Sequence, residues 1–167
     1  MSKLNFLFFF LLFIYNISPV YSSEKVAFIN LDLLIQKSEI GKLTLKNISD
    51  MDKKNINFLE NKNKELKDLE TQIKNKKNVI SKQAFEKEVE LIRKKINDFR
   101  FKKNDLVKDF EKFKKNEISK FFQKISPTIN EYMRENSITI LLDTKNIFIG
   151  DAKSDITDII LKEINKL

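Results

Sequence analysis

Between Lys42 and Phe122 the chain contains neither glycine nor proline, and it has only two of each in 167 residues. A stretch that long without a residue that breaks or ends a helix favours long uninterrupted helices. Apolar side chains recur there in heptads. Leu45, Leu59, Leu66, Ile73 and Ile80 share one seven-residue register, and Ile48 and Leu69 follow three residues on. Further along, Phe85, Ile92, Phe99, Leu106 and Phe113 repeat every seven, with Val89, Ile96 and Phe110 four residues later. Such a seam sets two helices side by side in a left-handed supercoil.

The two registers also fit each other. If the chain reverses near Lys77–Ser81, the numbers of facing residues must add to one constant. Ile73 with Phe85, Leu69 with Val89, Leu66 with Ile92, Leu59 with Phe99, Ile48 with Phe110 and Leu45 with Phe113 all give the same total. Unrelated helices have no reason to do so. Residues 41–125 therefore read as one antiparallel coiled-coil hairpin, a tentacle with its tip near 75–81 and Ser81 capping the second helix. At about 1.5 Å per residue, an arm of about 35 residues reaches about 50 Å, too far for any compact core. Three layers are poor: Asp52 opposite Leu106, Asn55 opposite Lys103, and Lys62 opposite Ile96. Met51 and Ile56 offer a local shift of phase. Weakly packed segments open readily, so a flexible section is expected at Asp52–Asn55 and Lys103.

Both chain ends supply a small α+β body, residues 23–40 and 126–167. Lys25–Asn30 reads as a strand, Asp32 as the cap of a short helix, and Gly41 as the punctuation before the arm. After Phe113 the apolar face widens through Phe121, Phe122, Ile125 and Ile129, as expected of a helix entering a core. Burial in the body is the preferred place for Phe121 and Phe122. Ser126-Pro127 should bend or restart that helix. Ser137–Asp143 reads as a buried strand and Ile147–Ile149 as a third, ending at Gly150. Asp155 or Thr157 then caps a last amphipathic helix carrying Ile156, Ile159, Ile160 and Ile164 on its apolar side. Three strands with bare edges are an aggregation hazard, and so small a core is marginal alone. Pairing with copies of itself answers both problems.

The first 22 residues have the form of a cleaved secretory signal. Lys3 precedes an apolar block from Leu4 to Tyr15, interrupted by Asn16, Ser18 and Pro19, with Ser22 at a suitable cleavage point. The chain has no cysteine and no histidine. It therefore offers no disulfide, no lipid-acylated cysteine, no zinc site of the usual sort and no Ser-His or Cys-His nucleophile. No paired acids stand out, so no enzyme and no cofactor are expected. A net charge of +8 permits weak attraction to acidic polymers or anionic membranes, but only three of the basic residues are arginine. Nucleic-acid binding is not expected of an exported chain without an arginine cluster.

The order of these segments resembles the OmpH/Skp family of periplasmic chaperones. The features are Val26-Ala27-Phe28-Ile29-Asn30 followed by Asp32, then Ser38-Glu39-Ile40-Gly41-Lys42, the charged hairpin, Leu141-Leu142-Asp143, and Asp155-Ile156-Thr157 before the last helix. The likeness spans essentially the whole mature chain. It implies a homotrimer joined through a small antiparallel β-barrel, with three tentacles around a cavity. It further implies ATP-independent holding of unfolded outer-membrane β-barrel proteins in the periplasm of a Gram-negative bacterium. No phosphate-binding glycine loop is present, in keeping with nucleotide independence. The hairpin is richer in lysine, asparagine and phenylalanine than a typical member.

Such a holder needs many weak contacts. Apolar residues off the seam, Phe58, Leu91, Phe101 and Val107, are the candidates for touching unfolded clients, against the plain reading as stray exposed hydrophobes. Lys74, Lys76, Lys77 and Lys82 form a basic tip suited to transient contact with acidic clients or an anionic membrane surface, or else an ordinary solvated turn. The alternative function is a structural coiled-coil envelope protein tethered by an uncleaved N-terminal helix.

Overall fold

The computed structural model describes residues 24–167, so the leader expected over residues 1–22 lies outside the described part. The elements run β1 (Lys25–Ile29), α1 (Leu31–Lys37), α2 (Glu39–Lys76), α3 (Lys82–Glu135), β2 (Ile138–Asp143) and α4 (Thr157–Ile164). Short 3₁₀ turns at Thr144–Asn146 and Ala152–Ser154 link β2 to α4.

Helices α2 and α3 form the antiparallel hairpin. Lys76 Nζ meets the Glu88 carboxylate at 3.0 Å near the tip, and Asn47 Nδ2 donates to Glu117 Oε2 at 3.2 Å near the root. One tie joins residues close in sequence and the other joins residues far apart, as only a folded-back chain allows. Leu66 and Ile92 are buried, and the other heptad residues are half-buried, with one exception. Leu45 faces solvent, and Thr44 is buried in its place. The same one-residue shift occurs at Met51, which is half-buried while Asp52 is exposed. Met51 thus supplies the change of phase; Ile56 does not, and stays exposed. Asn55 and Lys62 remain in the seam, half-buried.

Strands β1 and β2 pair in parallel, with Val26 beside Ile140 and Ile29 beside Asp143. This corrects the antiparallel body expected from the sequence. The cause lies in α3, which has 54 residues against 38 in α2. It overshoots the arm's root at Glu117 by about 27 Å before it ends, further than the roughly 16 Å that β1 spans. The chain therefore enters β2 beside the start of β1, and parallel pairing follows, with the hairpin as the crossover.

That overshoot requires α3 to pass Pro127 unbroken, a second departure from expectation. Pro127 lies on the exposed side of α3, where water can satisfy the carbonyl that its missing N–H leaves unpaired. Ser126 Oγ donates to Phe122 O at 2.6 Å. On the opposite side Ile125 and Ile129 are locked into the core, and this packing holds the helix through the proline.

The core of the body comprises Ile29, Leu34, Phe121, Ile125, Ile160 and Ile164, with Ala27, Ile138 and Ile156 beside them. Phe121 is sealed, and Phe122 lies half-buried against it edge-on, with ring centroids 5.3 Å apart. The third expected strand does not form. Ile147 ends a 3₁₀ turn, and Phe148 and Ile149 stand 98% and 83% exposed. A strand needs a hydrogen-bonding neighbour, and the single chain offers this segment none. The free edge of β1 is met instead by a bridge from Phe28 to Asp155, with Ile156 N donating to Phe28 O at 3.0 Å.

Local caps also differ from expectation. Asn30, not Asp32, caps α1, its Oδ1 accepting from Leu33 N at 2.9 Å. Asp32 lies in the first turn and pairs with Lys145 at 2.6 Å. Gly41 does not interrupt the chain: Ser38 caps α2, and Gly41 is buried in its first turn. A Cβ at Gly41 would fall 2.1 Å from Ile35 O, so glycine is what lets α2 start directly against α1. Asp155 Oδ1 accepts from Thr157 N at 2.9 Å, and Thr157 Oγ1 accepts from Asn30 N at 2.9 Å. The Asp155-Ile156-Thr157 triplet thereby ties the start of α4 to the end of β1, although Ile156 occupies the cap position itself.

Candidate functional site

The arm is the feature with no structural necessity for the body, and its surface is the candidate site. Two helices leave both flanks of their seam open, so apart from Leu66 and Ile92 the apolar residues along the hairpin are only partly covered. Phe58 and Leu91 are 43% and 57% exposed, and Phe101 and Val107 are 69% and 54% exposed. All four candidates from the sequence therefore face solvent. They are not brought together equally. Phe58 lines a recess with Leu66, Lys95 and Phe99, and Leu91 lines the next recess toward the tip with Leu69, Ile73 and Lys95. Lys95 belongs to both, so the two recesses are neighbours. Phe101 and Val107 line neither of them.

At the tip, α2 ends on Lys76, and Val79 N and Ile80 N donate to Lys76 O at 2.9 and 3.2 Å. Ser81 Oγ then accepts from Ala84 N at 3.3 Å, capping α3 as expected. The four tip lysines are not equivalent. Lys76 is held by Glu88, and Lys82 approaches Glu86 at 4.0 Å. Lys74 and Lys77 have no ion pair among the described residues. Sequence reasoning also missed Val79, an apolar residue 80% exposed at the turn. Its signal was present: it follows the helix end and precedes the cap, where no seam can cover it.

The root carries Glu117, the one carboxylate among the described residues that is buried. Glu117 accepts from Lys120 Nζ at 2.8 Å and from Asn47 Nδ2 at 3.2 Å. These two hydrogen bonds, Lys120 first, outweigh partial burial and hold its pKa below the ordinary 4.5. In the body, the hydrogen bond from Lys145 to Asp32 raises the lysine pKa above its ordinary 10.5. Neither group sits in a recess with a nucleophile. No cluster of three or more metal-ligating side chains occurs among the described residues. No helix among them is long and apolar enough to cross a membrane.

A small α/β body carrying one long helical hairpin defines an architectural class. Within that class, the family model described as outer membrane protein (OmpH-like) matches residues 25–164, and the chain belongs to this family. Among solved structures, it is similar to a protein from Caulobacter crescentus CB15 described as a candidate outer membrane chaperone (OmpH-like). The TM-score is 0.78 at 18% sequence identity, covering 87% of this chain and 86% of that one. No curated protein matches its sequence.

Proposed function

We propose that the protein is a periplasmic, ATP-independent holdase that keeps unfolded outer-membrane β-barrel proteins from aggregating, in a cavity between the arms of a homotrimer. The observation that carries this reading is the arm itself. It projects partly covered leucine, isoleucine and phenylalanine among charged groups, a surface suited to many weak contacts with a chain that has no fixed shape. Membership of the OmpH-like family supports the chaperone role and the periplasmic setting. Phe58, Leu91, Phe101 and Val107 are the proposed client contacts. Lys74 and Lys77 are the tip charges left to meet acidic clients or an anionic membrane surface.

Self-association is supported by the body. β2 has a bare outer edge, Ile140 and Leu142 on it are each 40% exposed, and Phe148 is fully open. Copies joined there would cover both. We infer a body of residues 23–40 and 126–167 with the arm between; the packing of Phe121 and Ile125 in the body's core supports a boundary within α3 that lies somewhat before residue 126.

The test is light scattering from an outer-membrane barrel protein diluted out of urea, without nucleotide, with oligomer mass measured in parallel. Suppressed scattering and a mass of three chains are expected. Unchanged aggregation in the presence of a folded protein would end the chaperone reading, and a monomeric mass would end the cavity.

A further inference from the structure

Three recesses lie along the arm, and all open on one face of the hairpin. The two nearer the tip are those of Leu91 and Phe58; the third, toward the root, is lined by Met51, Asp109, Lys112, Phe113 and Asn116. A single periodic set accounts for this alignment. Phe58, Glu65 and Gln72 recur every seven residues on α2, and Lys95, Lys102, Asp109 and Asn116 do so on α3. Each lines one of the recesses, and each sits beside the seam on the same flank. Phe101 and Val107 line none of the three recesses.

The face also carries an excess of positive charge. Six lysines and four carboxylates line the three recesses. Two of those carboxylates, Glu65 and Glu88, are held by Lys62 and Lys76. Lys95, Lys102, Lys112 and Lys115 have no ion pair among the described residues, and they outnumber the two carboxylates, Asp98 and Asp109, that likewise have none. From Met51 to Lys76 the three recesses are spread over about 37 Å of the arm, the length of about 11 residues of extended chain. The two recesses nearer the tip have volumes of about 240 and 260 Å³, below the usual range for small-molecule pockets and suited to single side chains.

We propose that this one face of the arm is the client-capturing surface, and that it takes unfolded segments in which apolar side chains alternate with acidic ones. The inference rests on the holdase reading and narrows it. Apolar side chains of the client enter the recesses, while its carboxylates meet the unpaired lysines. A second copy of the same face is a poor occupant, because like charge would oppose like. Phe58 and Leu91 belong to the capturing surface, whereas Phe101 and Val107 do not.

The decisive experiment compares two paired variants in the full chain, Phe58→Ser with Leu91→Ser and Phe101→Ser with Val107→Ser. Affinity for a urea-diluted outer-membrane barrel protein is the readout, with helicity and oligomer mass as controls. All four residues are exposed, so both variants are expected to fold. The first should lose about ten-fold in affinity, and the second should stay within about two-fold. Lys95→Glu with Lys102→Glu should weaken capture by a similar factor at low salt and less at high salt. As an independent reading, a photo-crosslinking residue at Asp98 should label the client. Equal losses in the two apolar variants, or labelling at Asp98 of the protein's own copies alone, would overturn the proposal. Failure of the unaltered protein to capture any client would instead bring down the holdase reading on which it rests.

Discussion

Body and arm are built from the same isoleucine, leucine and phenylalanine, yet they hold them in different ways. In the body, Ile29, Leu34, Phe121, Ile125, Ile160 and Ile164 are almost completely removed from water and form one cluster. Along the arm only Leu66 and Ile92 are comparably covered. The difference is geometric. Body side chains are covered by strands, by α1 and by α4, while an arm side chain has one partner helix and solvent on both flanks. Stability is accordingly concentrated in the body, and the arm is the region where local opening is cheap. Partial coverage also leaves the arm with apolar surface to share. One sequence thus holds a fixed anchor and an adaptable surface, separated by coverage and not by composition.

The sharpest way to break that comparison is to truncate equivalent apolar residues on each side of it. Phe121→Ala should cost about 3–5 kcal/mol, because it empties a sealed site. Leu66→Ala should cost roughly 2 kcal/mol or less, since the hairpin can close around the gap and part of the site is already near water. Urea unfolding would give the two values. Hydrogen exchange should show the Phe121 loss everywhere and the Leu66 loss only along α2 and α3. Equal global losses would mean that arm and body unfold as one unit. In the unaltered protein, amides at Asp52–Asn55 and Lys103 should exchange faster than those at Leu66 and Ile92, because Asn55 occupies a seam position that an apolar residue would fill.

Pro127 offers a smaller change of opposite sign. The body holds α3 straight through a residue that costs about 3 kcal/mol in a helix interior. Pro127→Ala should therefore stabilise the protein by roughly 1–3 kcal/mol without altering the arm. Thermal unfolding checks it; a lowered midpoint would show that the proline sets a bend on which the core depends. Smaller still is Ser137, at φ 53 in the turn from α3 into β2. A glycine there relieves left-handed strain but adds unfolded-state freedom, so Ser137→Gly should change stability by less than about 1 kcal/mol, most of it favourable. A loss larger than that would mean the serine side chain supports the turn.

The hairpin was legible because its evidence is arithmetic: complementary registers fix the fold-back point, and Ser81 caps the returning helix where that arithmetic puts it. The buried fate of Phe121 and Ile125 was legible from the widening apolar stripe. Strand direction was not, because it depends on how far α3 runs, and Pro127 is a genuine break signal that packing of Ile125 and Ile129 overrides. Leu45 was assigned to the seam by its heptad register and its pairing with Phe113, whereas a one-residue phase shift puts Thr44 there, with its hydroxyl donating to Ile40 O at 3.0 Å. Ile147–Ile149 has strand composition, but pairing needs a second edge that a lone chain does not present. For the candidate site, exposure of Phe58, Leu91, Phe101 and Val107 followed from heptad position. Their division between a grooved flank and the rest of the surface did not, since it depends on how α2 and α3 sit against each other.

The boundary between body and arm supplies the most local prediction. Glu117 lies where α3 leaves the arm, tied across the hairpin to Asn47 and along its own helix to Lys120. Those bonds favour the carboxylate, so its folded pKa lies below the unfolded 4.5. The linkage follows in sign: the contribution is fully present above pH 4.5 and is lost as pH falls through the lower folded value. Glu117→Gln removes the charge at every pH. The variant should therefore melt below the unaltered protein at pH 7, and the gap should narrow as pH falls below 4.5. A gap that stayed the same across that fall would show that shape, and not charge, holds the root. Exchange at Asn47 and Glu117 that stayed unchanged in the variant would show that the arm is anchored through Thr44 and Phe121 alone.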